Sequence, residues 1–107
     1  MITDPYQAIN KALVDLVHDL PSDTDHTLTP AKIFAELKRQ DLLKVVFPDG
    51  GETLVALIKM VSLLSCSTIQ DAQKRHFRLH RGGSANGVQF TVKFPFAVKS
   101  QTDPQKI

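Results

Sequence analysis

The chain has 107 residues, with 42% hydrophobic and 22% charged side chains and a formal net charge of +2. That length fits one ordinary domain, and the composition is globular rather than disordered or fibrous. One cysteine, Cys66, rules out an intramolecular disulfide framework and a multi-cysteine zinc site.

Charge is unevenly spread. Residues 1–36 carry a net −4 and residues 37–107 a net +6. A dipolar chain of this kind suits an anionic partner at its basic end, or the acidic half of a second copy. The start of the chain holds Asp4 and Pro5 and lacks a basic stretch followed by an apolar one, so no secretory signal is expected. The longest apolar run, residues 54–64, is interrupted by Lys59 and Ser62 and falls short of the ~20 residues of a membrane span. The expected protein is soluble and cytoplasmic, with no membrane contact.

The first helix is well marked. Asp4 suits its cap, Pro5 its first position, and Gln7 completes a capping-box-like start. Tyr6, Ile9, Leu13, Leu16, Val17 and Leu20 then recur at helical spacing on one face. Pro21 disfavours helical geometry in the residue before it, so the helix should stop near Leu20. Residues 21–26 read as a polar loop. A second helix opens in the same way, with Thr29 as cap and Pro30 in first position. Ile33, Phe34 and Leu37 supply its buried face. Lys38 and Arg39 occupy its last turn, where cations favour the negative end of the helix dipole.

The middle of the chain is less explicit. Lys44-Val45-Val46-Phe47 has the β-branched and aromatic content of a short strand. Pro48-Asp49-Gly50-Gly51 is a turn signal. Residues 52–66 fit either a helix or the second arm of a hairpin, and their length favours the helix. Such a helix is apolar nearly all round, so it belongs at the centre of the core or in an interface. Leu54, Leu57, Ile58 and Val61 are the candidate contacts, joined by Phe94 and Phe96 near a sheet edge. Cys66, just beyond the apolar run, is expected to be a buried, inert thiol.

The C-terminal third alternates with period two in residues 76–80 and again in residues 88–94. A flexible Gly-rich connector, residues 82–87, joins the two as a hairpin with a longer tip. The alternation assigns Phe77, Leu79, Val88, Phe90, Val92 and Phe94 to the core face. His76, Arg78, His80, Gln89, Thr91 and Lys93 go to solvent. Pro95 removes a ladder donor and suggests a sheet edge at that end. The expected class is α+β: a helical N-terminal half, a short central strand and an apolar helix, then a C-terminal antiparallel hairpin. This forms one domain over residues 1–99, and residues 100–107 are a frayed polar tail.

No catalytic constellation emerges, so a non-enzyme is expected, with no cofactor and no small-molecule substrate. Ser62, Ser65 and Ser67 lack a nucleophile-elbow context, and residues 82–87 lack the Lys-Ser/Thr ending of a phosphate loop. His76 and His80 lie ~13 Å apart on a strand, too far to share a metal ion. The informative feature is the run from residue 74 to 81. Lys74, Arg75, Arg78 and Arg81 alternate there with His76 and His80, and Lys93 lies beside them in the hairpin. Such a face suits contact with phosphates. It also suits a plain solvated strand whose charges discourage edge pairing.

Helices followed by a basic, Gly-tipped hairpin resemble a winged-helix domain in outline. The resemblance covers most of the chain and rests on element order. Residues 41–51 separate the second and third helices by more than a helix-turn-helix link. The third helix is too apolar for a major groove, so the hairpin, with Lys38 and Arg39, would make the contacts. Two functions follow as expectations. One is a nucleic-acid-binding regulatory or accessory protein, dimeric, contacting phosphates through Lys74, Arg75, Arg78, Arg81, Lys93, Lys38 and Arg39. The other is a non-enzymatic protein-interaction module: an adaptor, inhibitor or assembly subunit.

Overall fold

A computed structural model describes residues 2–65, 67–70, 73–84 and 87–94. Among them are four helices, α1 (Pro5–Val17), α2 (Pro30–Arg39), α3 (Leu43–Val46) and α4 (Leu54–Leu64). Four strands, β1 (His26–Leu28), β2 (Ile69–Gln70), β3 (His76–Ser84) and β4 (Gly87–Lys93), form one antiparallel sheet in the order β1-β4-β3-β2. The α+β class follows directly. No described helix is long and apolar enough to cross a membrane.

The helix starts are built as their residues dictate. The Asp4 carboxylate accepts from the amides of Tyr6 at 2.7 Å and Gln7 at 3.2 Å. Thr29 and Thr53 cap α2 and α4 through their hydroxyls, accepting from Lys32 at 3.2 Å and Ala56 at 3.1 Å. Each removes an orphan donor from a helix end. α2 closes with Asp41 in the left-handed region at φ 59°. The Asp41 amide donates to the Lys38 carbonyl at 3.1 Å and the Leu42 amide to that of Leu37 at 2.8 Å. These two bonds are the Schellman pattern, with aspartate where glycine is usual.

One core joins the helices to the inner face of the sheet. Ile9, Leu13 and Val17 of α1, Ile33 and Leu37 of α2 and Leu57 and Val61 of α4 are fully buried there with Phe77, Leu79, Phe90 and Val92. Burial of each such side chain stabilises the fold by about 1.5–3 kcal/mol.

Several local expectations change. Residues 44–47 are not a strand. The Val45 and Val46 amides both donate to the Leu42 carbonyl, and the Phe47 amide to that of Leu43, winding this stretch into the single helical turn α3. Val46 and Phe47 are thereby buried, so packing overrides their β propensity. The polar loop after α1 leads at its last residue into a strand that was not expected: His26, Thr27 and Leu28 pair with Val92, Thr91 and Phe90. β4 is therefore paired on both sides where β1 lies beside it, at residues 90–92. α1 stops at Val17 rather than near Leu20. The strands run through Gly82 and Gly83, opposite Gln89 and Val88, so only two residues separate β3 from β4. Residues 52–66 are helical, as length favours, over Leu54–Leu64. Cys66, Pro95, Phe96 and the expected tail at 100–107 lie outside the described residues.

A polar network ties α1 to α2. The Gln40 amide group donates to Asp15 at 2.7 Å and to Glu36 at 2.6 Å. Lys11 pairs with Asp15, and Arg39 grips Glu36 through two nitrogens. The hydrogen bond from Arg39 holds the Glu36 carboxyl below its ordinary value of 4.5, against the opposing effect of burial and with further help from Gln40. A carboxyl lowered by folding contributes stability that is complete above 4.5 and is lost as pH falls through the lower folded value. Urea titrations across this acid window will therefore show a loss of stability that Glu36→Gln reduces.

Candidate nucleic-acid interface

The β3–β4 register decides which charges meet. Arg78 lies opposite Lys93, His80 opposite Thr91 and Gly82 opposite Gln89, while His76 pairs with Gln70 of β2. With Thr27 of β1 beside Thr91, these residues form the outer face of the sheet, turned away from the core. Neither β3 nor β4 contains an acidic residue. Among the described residues, Asp25 lies 3.9 Å from the Lys93 ammonium. An exposed pair at that distance contributes little, so Lys93 retains most of its capacity for another anion. Arg78 is half-buried and donates from Nε to the Thr68 hydroxyl at 2.8 Å, which fixes the base of the guanidinium.

The other candidate cations do not join this face. Arg81 lies opposite Phe90, on the core side of the hairpin, but is exposed. It sits at the margin of the core, toward the tip. Lys74 is exposed in the turn before β3, at φ 65°. Lys38 and Arg39 belong to the far end of α2. Thr29 and Pro30 line an opening shared with Gly87, Val88 and Gln89, so the N-terminus of α2 faces the hairpin. Lys38 and Arg39 are eight and nine residues further on, about 12–14 Å along the helix axis. Arg39 is also engaged with Glu36.

Arg75 has a different role. Its guanidinium donates to the carbonyls of Leu20 at 2.5 Å, Val17 at 3.1 Å and His18 at 3.2 Å. The same group lies over the Phe94 ring, 4.8 Å from its centroid, and Gln73 adds a bond to the His18 carbonyl at 2.8 Å. The last carbonyls of a helix lack internal partners and carry its negative pole. A planar cation with a fork of donors satisfies several at once. Arg75 is thus a clamp between the end of α1 and the start of the sheet. Nothing in sequence spacing announces it, because its partners lie 55 to 58 residues away.

The apolar candidates also separate. Leu57 and Val61 are fully buried and Phe94 is 9% exposed, so they serve the core. Phe94 packs beside Phe77 and His26. Leu54 is 44% exposed and Ile58 is half-buried, and they remain at the surface. Val55 and Leu63, not singled out from sequence, are the most exposed large apolar side chains among the described residues, at 66% and 70%. They lie on the side of the helix opposite Leu57 and Val61, and in so apolar a sequence nothing marks that side in advance. No group of three metal-ligating side chains occurs among the described residues. Comparison with protein-family models, curated proteins and solved structures found no match.

Arg75→Met will lower unfolding stability by about 2–3 kcal/mol, the worth of charge-assisted bonds to backbone. Arg75→Lys will recover only a small part of this in the same denaturant titration, since an ammonium lacks the fork.

Proposed function

We propose that this protein is a small, non-enzymatic nucleic-acid-binding accessory or regulatory domain that contacts phosphates with the outer face of its β3–β4 hairpin. The observation that carries this is the register: Arg78 and Lys93 stand side by side with His76 and His80 on two strands that have no acidic residue. Phosphate binding asks for such a row of cations and hydrogen-bond donors, with Gln89 and Thr91 supplying the uncharged donors. Arg81, exposed on the opposite side of β3, and Lys74, exposed in the turn before it, lie at its margins. Lys38, Arg39 and Arg75 are left out of it.

Element order supports the same reading. A leading helix, a short strand that returns to the last strand, two longer helices with the single turn α3 between them, the short strand β2 and a hairpin make a winged-helix-like outline. α4 occupies the place of a recognition helix but offers one cation, Lys59, in eleven residues. Contact therefore falls to the hairpin, and it positions the protein on a phosphate backbone without reading bases. A second reading, a protein-interaction module, is favoured by the exposure of Val55 and Leu63 on α4. It uses a different surface.

Fluorescence anisotropy with mixed-sequence duplex and single-stranded DNA over a salt series tests the first reading. Binding will weaken steeply as salt rises. Arg78→Glu with Lys93→Glu will lower affinity at least about tenfold and reduce the slope of log K against log salt by about two. A double variant that stays folded by circular dichroism and keeps wild-type affinity contradicts the assignment.

A further inference from the structure

Two neighbouring openings on the surface share part of their walls. The first, about 440 Å³, is lined by Ala31, Phe34, Ala35, Lys38, Glu52 and Leu54. The second, about 310 Å³, lies between Thr29 to Ala31, Leu54 and Ile58, and Gly87 to Gln89. Ala31 and Leu54 belong to both. The result is one trough along the outer flank of α2, across the first turn of α4, to the tip end of the hairpin. Its floor is apolar: Ala31 and Ala35 are exposed, Phe34 and Ile58 half-buried, and Leu54 nearly half exposed.

The rim is what identifies an occupant. Lys38 and Glu52 border the same end of the trough, and neither has an ion-pair partner among the described residues. A partner with a uniformly acidic or basic surface would meet one of them with like charge. A second copy of this chain would not. In an arrangement with two-fold symmetry, each contact between residues i and j occurs twice. A two-fold axis passing between the two charges places each Lys38 over the other copy's Glu52, with Phe34, Ala35 and Leu54 from both copies closing the apolar seam. We infer that the chain forms a two-fold dimer through this trough, with reciprocal Lys38–Glu52 pairs at its rim. This gives the interaction reading a definite partner and does not rest on the nucleic-acid reading. Desolvated apolar contact supplies the affinity, and the two charges fix the register.

Sedimentation velocity over a concentration series tests the dimer, with circular dichroism as a check on folding. The wild type will associate. Leu54→Asp will be a folded monomer. Lys38→Glu alone or Glu52→Lys alone replaces two attractive contacts by two repulsive ones, and will raise the dissociation constant about tenfold or more. Combining the two will restore it, because the reversed charges again complement one another. Leu63→Ser, nine positions along α4 from Leu54, will leave the dimer intact. A wild type that stays monomeric throughout, or a double reversal no better than the single ones, overturns the inference. If Leu63→Ser separates the subunits instead, the outer face of α4 is the interface: the interaction reading stands and the trough is wrong.

Discussion

The register of β3 against β4 is the constraint on which both the core and the proposed interface depend. Pairing Leu79 with Val92 sends Phe77, Leu79, Phe90 and Val92 inward, and the same period of two sends His76, Arg78, His80 and Lys93 outward. A slip of one residue would put arginine into the core and phenylalanine into water, so burial on one side enforces the charge pattern on the other. β1 adds a second lock, because Leu28 opposite Phe90 faces the helices while Thr27 continues the polar face. Even if the charges have no ligand, the hairpin keeps them together.

Arg75 shows how a charge in a basic run is diverted to structure. It follows Lys74 and precedes His76 in the sequence, yet its guanidinium reaches three carbonyls near the end of α1 and covers Phe94. Loss of one orphaned helix end is thereby turned into attachment of α1 to the sheet. Counting cations along the chain overstates the interface for this reason. Two of them, Arg75 and Arg39, satisfy internal acceptors, and Arg81 lies on the other side of the strand from Arg78.

Much of the fold was legible where a local rule and the tertiary structure agree. Asp4-Pro5, Thr29-Pro30 and the hairpin alternation each named an element and its buried face. The failures share a cause. Residues 44–47 have strand-forming side chains but follow the Schellman end of α2, whose geometry leads straight into another helical turn. β1 spans three residues in a polar stretch and exists because β4 lies beside it, which no short window records. α4 was expected to be buried or interfacial; one side, with Leu57 and Val61, is in the core, and the other, with Val55 and Leu63, is exposed. The division follows from helical phase, but an almost entirely apolar helix gives no contrast from which to read that phase.

The most direct test of the account is NMR mapping of amide shifts during titration with a short mixed-sequence DNA duplex at low salt, where electrostatic attraction is strongest. The account predicts the largest changes at residues 76–80 and 91–93, fading as salt is added, with residues 31–38 of α2 little changed. Shifts confined to the α2–α4 side, or none on the hairpin at low salt, would contradict it.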